Sequence, residues 1–171
     1  FLLLGKTRDI DRKIRPGEYE LDASMSPQDI LTKLLPGRVV LHPVTIPEGY
    51  SLTQITEVLA AQQVTDTKEF TKLVRDRTFI STLGIEADSL EGYLFPETYS
   101  FAKGTKAREV IKAMVDGLHR VWGTEMQEQA ARMKMSLHQV LTLASVIEKE
   151  TGAKHERELI AAVFHNRLRK K

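Results

Sequence analysis

Residues 136–151 read SLHQVLTLASVIEKET, and this stretch decides how the second half of the chain folds. Ser136 followed by Gln139 is the pattern of a capping box, in which side-chain oxygens bond the first free amides of a helix. Thr151 and Gly152 are a typical helix end. The pattern therefore predicts one helix of about four turns between these ends.

The predicted helix has one broad apolar face. At about 100° per residue, Lys149 falls opposite that face, and Glu148 and Glu150 fall on its two borders. Partial burial and the negative end of the helix dipole both favour a protonated carboxyl group, as a general acid requires. On position alone, a solvated surface role is the commoner one for such glutamates. The apolar face consists of Leu137, Val140, Leu141, Leu143, Ala144 and Ile147.

Several segments resemble the characteristic segments of the endolytic murein transglycosylase family, the YceG-like proteins. They are residues 143–151 (LASVIEKET), the pair Glu156-Arg157, and residues 162–168 (AVFHNRL), 90–99 (LEGYLFPETY) and 15–19 (RPGEY). The resemblance runs in order over nearly the whole chain. In that family the second glutamate of the EKET run is catalytic, so the resemblance implies that Glu150 is the catalytic residue here.

The resemblance implies a lytic endotransglycosylase that acts in cell-wall synthesis. Such an enzyme cleaves the MurNAc–GlcNAc bond inside peptidoglycan glycan strands and leaves a 1,6-anhydro-MurNAc end. An ordinary glycosidase uses two carboxyl groups. A lytic enzyme can use one, because the sugar's own 6-hydroxyl replaces water as the nucleophile. Glu150 would protonate the leaving oxygen and then, as a carboxylate, accept the proton of that hydroxyl.

Four further polar residues are candidates for supporting or substrate-binding roles: Glu148, Glu156, Asn166 and Arg167. Glu156 and Arg167 fall within the apolar arc of the last predicted helix, where a charge is costly unless it is paired. They lie roughly 16 Å apart along a helix and cannot pair with each other. We expect one of them to hold the end of the helix that carries Glu148 and Glu150, and Asn166 to face the sugar. Ordinary salt bridges at the rim are an equally open interpretation.

The composition is that of an ordinary globular protein. The 171 residues are 42% hydrophobic and 28% charged, enough for one domain or two small subdomains. A net charge of +2, dispersed along the chain, argues against nucleic-acid binding. The lack of cysteine excludes disulfides and thiolate metal sites. We expect no metal and no cofactor, and we interpret the five scattered histidines as surface or helix-end residues. They are His42, His119, His138, His155 and His165.

Other enzyme chemistries lack their motifs. No Gly-x-Ser-x-Gly elbow surrounds Ser145, and phosphate-loop and dinucleotide fingerprints are absent. A pyridoxal-phosphate enzyme would need a Schiff-base lysine, and Lys149 falls on the predicted solvent side. The sequence therefore offers no competing catalytic site.

The first half of the chain alternates short strands and helices. Pro43 interrupts the second strand candidate and therefore predicts an edge strand or a bulged strand. A strand, a turn and two short helices in this order resemble a LysM module, a fold that grips the N-acetylhexosamine backbone of peptidoglycan and chitin. Structural packing alone explains the same residues. The strand candidates are residues 17–21 and 39–46, and the helices are predicted from Ser26 to Leu35, from Ser51 and from about Thr67.

Residues 90–101 are rich in aromatic side chains. Aromatic rings stack on the apolar faces of sugars, and their hydroxyl groups bond sugar oxygens. The same rings could equally pack in the interface between two subdomains. Gly92 and Pro96 favour a sharply turning linker here. The aromatic residues are Tyr93, Phe95, Tyr99 and Phe101.

Together these patterns predict an α+β protein with a small LysM-like α+β subdomain followed by a mainly helical part. Residues 1–41 are predicted to form an N-terminal strand and helix segment, residues 42–92 the LysM-like subdomain, and residues 93–171 a truncated helical part of the catalytic domain. The predicted helices of that part run from Thr105 to about Trp122, on to about Lys134, over residues 136–151 and on to the C terminus.

The chain is expected to be a fragment. It opens without methionine on an apolar run of four residues, which is far too short to span a bilayer. Proteins that it resembles carry an N-terminal membrane helix upstream and more of the catalytic domain downstream, so the fragment itself is expected to be a poor catalyst. The resemblance implies anchoring at the periplasmic face of the bacterial plasma membrane. The implied partners are peptidoglycan glycan strands and cell-wall synthesis proteins.

Two functions of different classes follow. The first is the glycan-cleaving enzyme. The alternative is a non-catalytic peptidoglycan-binding module that acts as a scaffold for wall-synthesis proteins. Replacing Glu150 by glutamine separates them, because it would abolish the anhydro products of the enzyme and leave glycan binding by the scaffold unchanged.

Overall fold

The computed structural model describes residues 17–34, 39–151 and 153–169 of the chain. Within these ranges the chain is an α+β protein, as predicted. The elements are α1 (Pro27–Lys33), β1 (His42–Thr45), α2 (Leu52–Ala61), α3 (Thr67–Leu73), α4 (Arg77–Thr82), β2 (Thr98–Phe101), α5 (Ala107–Val121), α6 (Thr124–Arg132), α7 (Leu137–Glu150), a 3₁₀ turn (Lys154–Glu156) and α8 (Arg157–Arg169).

Side-chain caps fix the start of most of these helices. Ser26, Ser51 and Ser136 each form a capping box with the residue three positions on, and Asp66 and Asp76 accept bonds from the first amides of α3 and α4. The three predicted serine caps are therefore confirmed, and α7 begins and ends where residues 136–151 predict.

One predicted cap is wrong. The N-cap of α5 is Lys106, which caps without a side-chain bond. Thr105 instead donates its hydroxyl to the carbonyl of Ala102 at 2.7 Å. The hydroxyl thus stabilises the turn before the helix rather than the helix itself.

The two strands pair antiparallel, with Val44 opposite Tyr99 and His42 opposite Phe101. Because side chains alternate across a strand, Val44, Tyr99 and Phe101 all face the core. In the described part of the chain no other strand joins this sheet. Pro43 therefore lies in an edge strand, as predicted, where its missing N–H is tolerated.

The sequence pattern misses β2 and wrongly predicts a strand over residues 17–21. Those five residues form no strand, although the amide of Val40 donates to the carbonyl of Glu18 at 2.8 Å. Strand formation depends on a partner that is distant in the sequence, so a short apolar pattern does not decide it.

One hydrophobic core joins the sheet to α2, α3, α4 and α5. We call residues 42–118, which contain it, the core region. The inward faces predicted for α2 and α3 are confirmed, since Leu52, Ile55 and Leu59 of α2 are buried, as are Phe70 and Leu73 of α3. The core and the sheet both continue across the predicted division at residues 92 and 93.

The aromatic stretch mostly belongs to this core. Tyr93, Tyr99 and Phe101 are buried, and the rings of Tyr99 and Phe101 stack with centroids 5.6 Å apart. The Tyr99 hydroxyl donates to the carbonyl of Phe95, and burial raises the pKa of Tyr99 to about 12. Gly117 of α5 allows this close packing, because a Cβ there would lie 3.1 Å from Phe95. Of the two interpretations, packing accounts for Tyr99 and Phe101.

The C-terminal helices α6, α7 and α8 (residues 124–169) are packed far less tightly. No side chain of α7 is buried. The apolar arc predicted for the last helix does not form a buried face in α8, because its residues Leu159, Val163 and Leu168 are 70%, 43% and 59% exposed. Among the described residues α8 packs mainly on α7 and the 3₁₀ turn, which together cover one side of it.

Some predictions fall outside the described residues. They concern the apolar run at residues 1–4, the motif residues Arg15 and Pro16, the end of the first helix at Leu35, and Gly152. Within the described ranges, no helix has the length and apolar character needed to cross a membrane.

Candidate active site

A cavity of about 1140 Å³ lies between the core region and α7. One wall is the turn over residues 46–51 with the start of α2. A second wall comes from residues between Glu86 and Pro96. The third is one side of α7, which presents His138, Leu141, Ser145 and Glu148. The helix predicted to carry the catalytic residue is therefore a wall of this cavity.

Local sequence explains how the first two walls form. The chain turns at Gly49 with φ +75°, a left-handed conformation that glycine adopts without strain, and Ser51 then caps α2. Glu91 reaches across from the second wall, and both of its carboxylate oxygens lie 3.3 Å from the amide of Leu52. Glu91 thus fastens the two walls together through the start of α2.

Two kinds of contact place α7 on the third side. Leu137 and Leu141 are half-buried against the core. The Tyr93 hydroxyl lies 2.8 Å from Nδ1 of His138, and the two rings are stacked. The first two turns of α7 are therefore fixed to the core region, whereas the last two are not.

The cavity wall carries more negative than positive charge. Asp88, which lines the cavity, pairs at 2.6 Å with Arg77, which does not. Carboxylate oxygens accept hydrogen bonds from hydroxyl and amide groups, which a glycan offers in number. The charged side chains that line the cavity are Glu48, Glu86, Asp88, Glu91, Glu148 and Lys149.

Glu148 lines the cavity and is held there by Arg157 of α8. The Nη2 atom of Arg157 donates to Oε1 of Glu148 at 2.9 Å and lies 2.7 Å from Oε2. Both side chains are partly exposed, so the pair contributes little to stability. Its effect is to fix the direction of the Glu148 carboxylate. The sequence motif contains Arg157, but its pattern gives no sign of this contact between helices.

Glu150 does not line the cavity. It is exposed and forms no hydrogen bond or ion pair with any described residue. Two residues of helix rotate the side chain by about 200°, so Glu148 and Glu150 face nearly opposite directions. The expected partial burial at the border of a buried face is wrong here, because the described residues leave every side chain of α7 at least partly exposed.

Glu156 closes the turn between α7 and α8. It accepts a hydrogen bond from the hydroxyl of Thr151 at 2.9 Å, and the same hydroxyl accepts the amide of Ala153 at 2.9 Å. Thr151 is the C-cap of α7 and is 5% exposed. Glu156 therefore acts on the end of α7, as was expected of one of the two charged residues of the last helix.

Asn166 and Arg167 lie on α8 away from the cavity. Both are exposed, and neither forms a hydrogen bond or ion pair within the described ranges. The structure thus brings Glu148 to the cavity and Glu156 to the C-cap of α7. It leaves Glu150, Asn166 and Arg167 outside the cavity lining.

The interpretation of the histidines as surface or helix-end residues is confirmed for His138, which is exposed, and is wrong for two others. His42 lies in β1 and contacts Glu18. His165 is half-buried and lines a smaller apolar cavity of about 240 Å³ between α6, α7 and α8. His138 is at a helix start but also forms part of the large cavity. No three potential ligand side chains among the described residues are grouped to hold a metal ion.

Comparisons with known proteins agree on one family. The family described as the YceG-like family matches residues 1–171. A Bacillus subtilis protein named endolytic murein transglycosylase is 36% identical over 171 residues, which cover 91% of this chain and 47% of the relative. A Streptococcus pneumoniae protein of the same name is 34% identical over 183 residues, with 91% and 33% covered. The chain thus spans half or less of the length of these relatives.

A solved structure has the same fold. It is a crystal structure of a YceG-like protein from Listeria monocytogenes, 33% identical, with a TM-score of 0.65. The match covers 98% of this chain and 60% of the Listeria chain. At this identity the likeness extends to sequence as well as fold.

Proposed function

The chain belongs to the YceG-like family, and from that premise we propose that it is part of a lytic endotransglycosylase of the bacterial cell wall. The reaction would cleave the MurNAc–GlcNAc bond inside peptidoglycan glycan strands and leave a 1,6-anhydro-MurNAc end. The observation that carries the proposal is the cavity of about 1140 Å³, one wall of which is the helix that ends on Glu150.

The cavity is the proposed glycan site. Its volume exceeds the usual range of about 300–1,000 Å³ for small-molecule sites, which leaves room for more than one sugar ring. Its lining combines apolar surface, such as Leu94 and Leu141, with the hydrogen-bonding side chains of Ser51, Gln54 and Ser145. Sugars present the same combination of apolar ring faces and hydroxyl edges. The wall from residues 46–51 belongs to the part predicted to be LysM-like, a resemblance that is consistent with glycan binding there.

Glu150 is the proposed proton donor and acceptor. In the first step its proton goes to the leaving oxygen as the bond from that oxygen to the anomeric carbon breaks. In the second, the 6-hydroxyl oxygen of the same sugar bonds the anomeric carbon, and its proton returns to the Glu150 carboxylate. No water is consumed. Glu148 is already bound to Arg157, whereas Glu150 has no partner in the described part of the chain, so its carboxyl group is free for proton transfer.

The proposed place of action is the extracytoplasmic side of the membrane, where murein is built. The names of the two relatives, which both refer to murein, support this location. Wall-synthesis proteins are the proposed partners, because an enzyme that cuts within nascent strands must act where those strands are made.

One observation favours the non-catalytic alternative. Glu150 lies outside the cavity lining, and a general acid must come within hydrogen-bond reach of the oxygen that it protonates. A peptidoglycan-binding scaffold would use the same cavity without needing Glu150. The two functions therefore share the site and differ in the role of one side chain.

Product analysis decides between them. Nascent glycan is incubated with the chain extended to the length of its Bacillus subtilis relative, and the products are identified by mass spectrometry. Glu150→Gln should lower the yield of anhydro-ended products by at least about 100-fold, because glutamine cannot transfer a proton. Glu148→Gln should leave measurable activity, and Glu158→Gln, an exposed residue of α8, should have no effect.

Anhydro products from the Glu150→Gln protein would contradict the catalytic assignment. Glycan pull-down by the wild type without any anhydro product would favour the scaffold. A parallel pull-down with the Glu150→Gln protein shows whether the binding site has survived the substitution.

A further inference from the structure

One wall of the cavity contains a tyrosine–histidine contact that the proposed reaction does not yet use. The hydroxyl of Tyr93 lies 2.8 Å from Nδ1 of His138, and the rings are stacked at an interplanar angle of 17° with centroids 6.1 Å apart. The two residues are 45 positions apart in the sequence and belong to different walls. Both line the cavity.

The contact constrains the histidine more than the tyrosine. Tyr93 is 3% exposed and is part of the core, so its ring is fixed by packing. His138 is exposed on the first turn of α7, and its imidazole has Tyr93 as its only hydrogen-bond partner within the described ranges. A buried group therefore holds an exposed one at the edge of the cavity.

The chemistry of the pair decides which ring nitrogen remains available. Burial raises the pKa of the Tyr93 hydroxyl, so that it keeps its proton at neutral pH. The donor and acceptor roles in this contact depend on the tautomer of the imidazole. When the hydroxyl donates to Nδ1, the proton of the neutral imidazole lies on Nε2. Nε2 has no partner among the described residues, so in that tautomer its N–H can donate to a ligand.

We propose that His138 binds the glycan by donating from Nε2 to an amide carbonyl oxygen of the substrate, and that Tyr93 is the positioning residue that sets this tautomer. The inference rests on the proposed function and adds a specificity contact to it. Peptidoglycan offers amide carbonyls from two sources. One is the acetamido group of each sugar, and the other is the peptide stem, beginning with the amide that joins it to the lactyl group.

Two substitutions of His138 distinguish the roles of its two ring nitrogens. His138→Asn keeps a polar group near the place of Nδ1 and loses the donor at Nε2. His138→Gln reaches the place of Nε2 with an N–H donor and gives up the contact with Tyr93. The proposal predicts that binding weakens about threefold to tenfold in His138→Asn, the effect of one lost hydrogen bond, and stays within about twofold of wild type in His138→Gln. Tyr93→Phe, which frees the ring without removing it, should weaken binding about twofold to threefold.

Binding is measured by titration calorimetry on the 171-residue chain with two probes. One is the tetramer of N-acetylglucosamine, which carries acetamido groups only, and the other is a muroglycan tetramer with its peptide stems. Weaker binding of both probes by His138→Asn assigns the carbonyl to the acetamido group. Weaker binding of the second probe alone assigns it to an amide of the peptide stem. His119→Asn is the matched control, since His119 is an exposed histidine of α5 outside both cavities.

A purely structural contact between α7 and the core gives the opposite pattern. In that case His138→Asn would be harmless, whereas His138→Gln and Tyr93→Phe would lower both affinity and thermal stability, and the proposal would be overturned. It is also overturned if neither probe binds the wild type. In the chain extended to the length of its Bacillus subtilis relative, His138→Asn should raise KM with little change in kcat. A general loss of structure would not change KM alone.

Failure of this inference is distinguishable from failure of the proposed function. Anhydro products that depend on Glu150 but not on His138 would overturn only the role of His138. Absence of anhydro products from the wild type, with glycan affinity that still depends on His138, would overturn the lytic reaction and leave the binding contact in place.

Discussion

The core region and the C-terminal helices differ in how tightly they are packed, although both are helical and apolar in pattern. In the core region Leu59, Phe70 and Ile80 are fully buried. In the C-terminal helices α7 has no buried side chain, and Leu159 and Leu168 are largely exposed. Stability therefore resides in the core region, and the residue proposed for proton transfer lies in the C-terminal helices.

This division has a functional meaning. Regions with few buried apolar contacts open locally at a lower free energy than the core does. The α7 helix is fixed at its start by Leu137, Leu141 and the contact of His138 with Tyr93, and at its end mainly by α8. A substrate that binds in the cavity would therefore meet one rigid side and one adjustable side.

The difference in packing is tested most directly by truncating one apolar side chain in each region. Phe70→Ala should lower the free energy of unfolding by about 3–5 kcal/mol, because the ring is fully buried and leaves a cavity. Ile147→Ala, in the half-buried face of α7, should cost only about 1 kcal/mol. Urea denaturation followed by circular dichroism measures both. Equal losses would mean that α7 is as firmly packed as the core.

A matched pair of capping serines tests the same difference with a smaller loss of stability. Ser51 and Ser136 both form capping boxes with a glutamine three residues on, and each Ser→Ala change should cost about 1 kcal/mol. In the core region the loss should lower the protection of all core amides from hydrogen exchange. In α7 it should raise exchange within that helix alone.

Hydrogen exchange detected by mass spectrometry distinguishes the two outcomes. Uniform loss of protection across the chain in the Ser136→Ala protein would show that α7 unfolds only together with the core. In that event the two regions would form one cooperative unit, and the proposed adjustable side of the cavity would be rigid.

The smallest expected effect concerns Glu18, which joins the N-terminal segment to the sheet. Lys103 and His42 both donate to its carboxylate, and the hydrogen bond from Lys103 is the larger cause that holds the pKa of Glu18 below its ordinary value of 4.5. A carboxyl group whose pKa is lower in the folded state contributes stability above its unfolded pKa and loses it as the pH falls through the folded value. Glu18→Gln should therefore lower the thermal midpoint slightly at pH 7.

The difference between the wild type and Glu18→Gln should vanish at a pH well below 4.5, where both side chains are neutral. Glu20→Gln is the control, because Glu20 is exposed and its carboxylate forms no hydrogen bond or ion pair within the described ranges. A difference that persisted in acid would assign the role of Glu18 to packing rather than to charge.

Much of the local structure could be predicted from short stretches of sequence. The capping boxes at Ser51 and Ser136 involve atoms only three residues apart, and helical periodicity is repeated within every turn. These signals do not depend on the rest of the fold, so α2 and α7 begin where the pattern places them. The strand β2 and the exposed face of α8 could not be predicted in this way, because strand pairing and burial depend on distant partners.

The same distinction between local sequence signals and distant partners applies to the candidate site. The sequence by itself determined the helix that carries the EKET run, the family to which that run belongs, and the residue types available for chemistry. Only the tertiary structure decided that Glu148 rather than Glu150 lines the cavity, that Arg157 holds it, and that Tyr93 meets His138 across 45 residues of chain. A helix fixes the angle between neighbouring side chains but not which way the whole helix turns. That rotation is set by packing against other elements, and packing is a property of the folded chain as a whole.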